Sequence, residues 1–151
     1  MNVIKRDLIK LALDGRFDVI VHGCNCQCAM GAGIAKSIKE TLPEAYKADL
    51  ATTKGSREKL GSISAATVTA WPPPAHDCQR LTQFNWRGPG VLVDYAAVRT
   101  VMKEVKVRFP GRRIGYPKIG ASLAKGDWKL IVQIIDAELA EEDHTQVEYL
   151  P

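Results

Sequence analysis

The chain lacks one-sided charge, a long apolar run and a paired-cysteine pattern, and each absence closes a class of function. Lys and Arg number 21 against 17 Asp and Glu, a formal net charge of +4 in 151 residues. The basic residues are dispersed, which describes a solvated surface better than a nucleic-acid-binding stripe, although the mild excess suits an anionic ligand. No apolar run approaches the roughly 18 residues of a membrane span. The opening MNVIKRDLIK has no signal-peptide h-region or cleavage site, so a cytoplasmic protein without membrane contact is expected.

Cysteine is sparse and oddly placed. Of the four cysteines, Cys24, Cys26 and Cys28 stand on alternate positions and Cys78 lies far downstream. The first three are too close together to pair easily, and reduced thiols are expected. C-x-C-x-C also departs from the C-x₂₋₄-C pairs of structural zinc sites. Small apolar thiols packing a tight loop are the expectation, with no metal.

Two phosphate motifs are missing as well. A P-loop fails because Ala35 precedes Lys36-Ser37 and Met30 stands five positions before that. The dinucleotide fingerprint GxGxxG fits Gly31 and Gly33, but Lys36 occupies the third place, where close helix–strand packing needs glycine.

What is present is an alternation of strands and helices. Hydrophobic residues make 46% and charged residues 25% of the chain, ordinary for one globular domain spanning 1–151. Val3-Ile4 predicts a short strand and Leu8 to Leu13 a brief helix that Gly15 stops. FDVIVHG is a β-branched run typical of a strand buried on both faces. Ile34, Ala35, Ile38 and Leu42 set a helix from Gly33 that Pro43 breaks, and a second follows from Glu44 to about Thr52. SISAATVTA predicts a strand, Val93 to about Phe109 a helix with Asp94 near its start, and RRIGYP a short buried strand. Asp127 is the expected N-cap of a last helix through about Glu141, and TQVEYL closes the chain as a strand. This order predicts an α/β fold with a mostly parallel sheet. The exception is WPPPAHDCQRL, which falls where a strand belongs but predicts an irregular loop, because prolines cannot donate to a ladder. Shifting its reading frame by one base yields a regular strand sequence, so paired frameshifts would account for it.

The segment IVHGCNCQCAMGAGIAKSIKE carries the functional signal. A buried strand ends near His22, a small-residue loop follows, and a helix begins at Gly33-Ile34. Glycines permit close backbone approach, and a helix N-terminus offers free N–H groups with a positive dipole end, an anion site at a strand's carboxyl end.

DVIVHGCN…MGAGIA, followed about 85 residues later by IGYPKIGASLAKGDW, resembles the macrodomain family of ADP-ribose-binding proteins. The likeness is to its ADP-ribose-1″-phosphate phosphatase and terminal ADP-ribose glycohydrolase branch, including compact bacterial and phage members, and covers nearly the whole chain. It implies a three-layer α/β/α sandwich with a mixed, mostly parallel central sheet. It also implies that Asp7 accepts from the adenine amino group with Leu8 beside it, and that Asn25 faces the distal ribose. Gly31, Gly33 and Ile34 would form one phosphate loop; Ile119, Gly120, Ala121, Ser122 and Leu123 would form the other. Read without the family, Asp7 is a surface charge or helix cap, Asn25 holds a turn, and the second loop is a strand-to-helix connection.

The same resemblance frames catalysis. Glycohydrolases of the branch use a lysine where this chain has Thr82-Gln83, and an aspartate where it has Ala124, which counts against their lysine–aspartate mechanism. The phosphatase-like members keep a histidine that His22 matches. His22, Asn25 and Asp127 are therefore the catalytic candidates, although His22 also fits a strand-end residue that merely orients Asn25. The expectation is hydrolysis of an ADP-ribose derivative, most simply ADP-ribose-1″-phosphate, by a cofactor-free monomer. The alternatives are a non-catalytic ADP-ribose reader and a hydrolase that removes ADP-ribose from protein or nucleic acid.

Overall fold

The structure is a computed structural model that describes residues 1–69 and 75–150, with the backbone alone for 75–80. Six strands form one sheet: β1 (Asn2–Arg6), β2 (Val19–Asn25), β3 (Ile63–Val68), β4 (Ala75–Gln83), β5 (Ile114–Tyr116) and β6 (His144–Tyr149). Their spatial order is β1-β6-β5-β2-β4-β3, with every pairing parallel except the antiparallel β3–β4 edge. The helices are α1 (Leu8–Leu13), α2 (Gly33–Thr41), α3 (Pro43–Leu50), α4 (Tyr95–Arg108) and α5 (Trp128–Glu138), with a 3₁₀ turn at Arg57–Lys59.

The β-branched run in β2 explains the layering. Side chains alternate across a strand, so Val19 and Val21 join one core while Ile20 and Cys24 join the other. The first core takes Val98, Met102 and Val105 of α4 with Ile131, Ile134 and Ile135 of α5. The second takes Leu8 and Ala12 of α1, Ile38 of α2 and Ala45 of α3. A three-layer α/β/α sandwich results, with the mixed, mostly parallel sheet expected. Asp94 and Asp127 cap α4 and α5, accepting from Ala97 N (2.8 Å) and Lys129 N (3.0 Å) respectively; such caps each contribute about 1 kcal/mol.

One expectation is corrected. Ala75 to Leu81 was expected in an irregular loop, yet Ala75–Gln83 is an interior strand, parallel to β2 and antiparallel to β3. The strand starts after the last of the three prolines, so the exclusion of proline from ladders still holds. Backbone pairing on both sides fixes the conformation of a stretch whose polar side chains would not predict it. Residues 71–74 of that segment lie outside the described residues.

Backbone closeness also fixes the β5 position. A Cβ on Gly115 would lie 2.6–2.8 Å from three ring carbons of Phe17, which is itself buried. Gly115→Ala is therefore expected to lower the unfolding free energy by about 1–3 kcal/mol, the usual cost of overpacking. Urea unfolding followed by circular dichroism checks this, and an unchanged midpoint would contradict it.

Candidate functional site

The carboxyl ends of the five parallel strands share one cleft of about 1080 Å³. Asp7, Leu8 and Ile9 enter from the turn after β1, and Val147 to Tyr149 from the end of β6. Residues 117–120 and 122–124 follow β5, Gly23, Cys24 and Asn25 end β2, and Ala29 and residues 31–35 come after it. Gln83 and Trp86 close the end beyond β4. The neighbours β2 and β5 send their chains to opposite faces, to α2 and α5, so the cleft opens where the winding direction switches. Ligands bind at such points in open α/β sheets.

The first loop is braced by Asn25. The register with β4 shifts by one residue between Cys24 and Asn25, so that Asn25, the last residue of β2, pairs with Gln83. Asn25 Oδ1 accepts from Gln27 N (3.0 Å) and Ala29 N (3.4 Å), and Nδ2 donates to the Ala29 carbonyl (2.9 Å). The turn-holding role is thus observed, and it uses both ends of the amide. Further on, Ala32 caps α2 without any side-chain hydrogen bond, and Gly33 takes φ +58°. The first-turn amides of α2 border the cleft without a side-chain cap to compete for them.

The second loop is built on glycine. Gly120 takes φ +72°, and a Cβ there would lie 2.7 Å from Val93 Cγ2. Gly126 N donates to Gly120 O (2.7 Å), closing the loop, and a Cβ on Gly126 would sit 2.5 Å from that oxygen. Leu123, 59% exposed, reaches across so that its Cδ1 lies 3.5 Å from where a Gly33 Cβ would be. The two loops therefore face each other at van der Waals distance over the cleft.

Asp7 is the N-cap of α1, its Oδ1 accepting from Ile9 N (2.9 Å) and Lys10 N (3.1 Å). It also lines the cleft. At the same end Lys118 pairs with Glu148 (3.0 Å) and holds that carboxyl below its ordinary range.

Of the expected ligand-binding residues, Asp7, Leu8, Asn25, Gly31, Gly33, Ile34, Ile119, Gly120, Ser122 and Leu123 line the cleft; Ala121 instead packs partly buried against the α4–α5 core. The catalytic expectations fare differently. His22 is fully buried, outside the cleft lining, with its Nδ1 3.7 Å from Cys24 Sγ. His22 shares its face with Ile20 and Cys24, but it lies two residues short of Cys24, which does line the cleft at the carboxyl end of β2. Asp127 is also absent from the lining and serves as the α5 cap. Asn25 alone of the three reaches the cleft.

Several residues escaped the sequence reading. Trp86, 49% exposed, lines the cleft and is marked in sequence only as an aromatic in a loop. Beneath the first loop Lys59, 8% exposed, donates to Cys26 O (3.2 Å) and Cys28 Sγ (3.4 Å). Fully buried Asp49 lies near Lys59 and His22; burial pushes its carboxyl up while those two groups pull it back down. Burial likewise raises the Cys26 thiol, with Lys59 opposing. Nothing in SREKL marks Lys59 as internal. Cys24, Cys26 and Cys28 are buried; Cys24 and Cys26 pack in the second core as expected, while Cys28 donates to Asp49 O (3.3 Å).

The sheet order and the three layers are those of the macrodomain fold. A Bacteroides thetaiotaomicron protein of unknown function matches with a TM-score of 0.75 at 23% identity, over 99% of both chains. The macrodomain of Mycobacterium tuberculosis DarG matches at 0.72 and 20% identity, again over 99% of both. Thermosipho africanus DarTG, solved in complex with ADP-ribose, matches at 0.71 and 15% identity, over all of this chain and 42% of that one. No family model matches the sequence. The chain belongs to one family with the uncharacterized 17.5 kDa protein of the tk-vs intergenic region of Enterobacteria phage T4. The two are 32% identical over 156 residues, covering all of this chain and 97% of the phage protein.

Asn25→Ala removes three loop contacts at once. The unfolding free energy is expected to fall by about 1–3 kcal/mol, with faster hydrogen exchange at the Gln27 and Ala29 amides. Unchanged exchange at both would show that the side chain does not hold the loop.

Proposed function

We propose that the cleft binds ADP-ribose, as a recognition module. The observation that carries this reading is the pair of glycine loops meeting over one cleft at the β2–β5 switch point, one of them running into the uncapped start of α2. Their backbone N–H groups suit a diphosphate. The adenine would lie toward Asp7 to Ile9, where Asp7 Oδ2 can accept from the amino group while Oδ1 caps α1. The distal ribose would lie toward Asn25, Gln83 and Trp86.

Recognition is favoured over turnover because of where the acids and bases are. Among the described residues, the carboxylates lining the cleft are Asp7 and Glu148, at the β1–β6 end, and no histidine lines it. Asn25 is engaged by its own loop and does not transfer protons. Hydrolysis of ADP-ribose-1″-phosphate, or removal of ADP-ribose from a macromolecule, would need a general acid or base near Asn25.

Titration calorimetry with ADP-ribose tests the reading. Saturable binding is expected, weakened at least about tenfold in Gly33→Val, where a branched side chain must adopt positive φ beside Leu123. No heat with the unmodified chain would overturn it. Phosphate release from ADP-ribose-1″-phosphate is expected to stay at background. Release that disappears in His22→Ala while ADP-ribose binding persists would restore the histidine mechanism.

A further inference from the structure

A second pocket of about 520 Å³ adjoins the β4 end of the cleft, sharing Ala29 and Trp86 with it and adding Gln27, Lys54, Asn85 and Arg87. Three segments form it: the loop after β2, the turn after α3 and the loop after β4. They are tied together rather than merely adjacent. Gly55 N donates to Cys26 O (2.7 Å), and Gln27 Nε2 lies 3.5 Å from Phe84 O and 3.4 Å from Asn85 Oδ1. Gly55 takes φ +75°, and a Cβ there would meet Gln27 Oε1 at 3.4 Å. Lys59 underpins the same loop through Cys26 O and Cys28 Sγ.

The charge of this pocket is one-sided. Lys54 and Arg87 supply two cations, and among the described residues no carboxylate belongs to the lining. Among the described residues neither Lys54 nor Arg87 has an acidic partner, a state shared by other exposed cations of the chain such as Lys47 and Lys103. The Arg87 guanidinium instead lies 4.5 Å over the Trp86 ring, on the wall common to both cavities. Two exposed cations without counter-charge, on a preorganised floor beside the distal-ribose end, suit a phosphate.

We propose that the second pocket is a phosphate subsite, in which Lys54 and Arg87 hold a phosphate carried beyond the distal ribose of a ligand seated in the main cleft. This rests on the ADP-ribose reading for the occupant of that cleft. The phosphate has two chemical sources, a terminal monoester on the ribose and a diester in an attached nucleotide strand. Both present the same oxygens to the same cations. The volume admits more than a bare phosphate, and Trp86 offers a half-exposed ring to whatever follows it.

The test uses the full chain and the double variant Lys54→Gln/Arg87→Gln, whose positions do not line the main cleft. ADP-ribose affinity is expected to change by less than about twofold. ADP-ribose-1″-phosphate is expected to bind the unmodified chain roughly tenfold or more tightly than ADP-ribose, an advantage lost in the variant. If that advantage is absent, but a 5′-phosphorylated single-stranded oligonucleotide binds in a salt-dependent way and the variant loses it, the phosphate comes from a strand. Should neither probe distinguish the variant from the unmodified chain, the subsite is overturned. Failure of the underlying reading looks different: no heat with ADP-ribose, while the oligonucleotide still depends on Lys54 and Arg87.

Discussion

The cleft depends on one backbone hydrogen bond, from Gly126 N to Gly120 O at 2.7 Å. It closes the loop that follows β5 and sets its amides opposite the start of α2. Neither partner tolerates a Cβ, because Val93 stands 2.7 Å from one and the accepting oxygen 2.5 Å from the other. Val93 is in turn held by its own bond to Ala124 O (3.3 Å), inside the same loop. Loop closure, α4 entry and α5 entry are thus parts of one packing problem, solved by removing two side chains. The cleft inherits its shape from that solution.

Most of the architecture was legible because it follows from hydrophobic period. β2 is apolar on both faces and has to be covered twice, which forces three layers. The α4 and α5 stripes and their aspartate caps follow the same logic. β4 was not legible. Its sequence is polar and preceded by prolines, and its conformation comes from ladders contributed by β2 and β3. Information held in distant strands cannot be read from a local window.

The site divides along a similar line. Glycine loops are written in the sequence, since positive φ and close approach leave few other residues available. The direction of a side chain near a strand end is not. His22 matches by position, but it sits two residues back from Cys24 along β2, fully buried, while Cys24 on the same face lines the cleft. Asp127 is both an expected cap and a catalytic candidate; the cap is what the structure displays. Lys59, Asp49 and Trp86 escaped because their importance comes from three segments that meet only in space. The group beneath the first loop is costly, since neither oxygen of Asp49 has a hydrogen-bond partner among the described residues. Its presence beneath the loop places a buried Lys59–Asp49 pair under the part of the cleft that Asn25 lines.

The central claim concerns which backbone groups meet the ligand. Backbone amide chemical shifts, recorded as ADP-ribose is titrated into the full chain, address it directly. The account predicts the largest shifts at residues 31–34 and 119–123, a smaller set at Asp7 to Ile9, and little change at His22. Shifts confined to His22 and its neighbours under α2, with the two glycine loops unmoved, would contradict it.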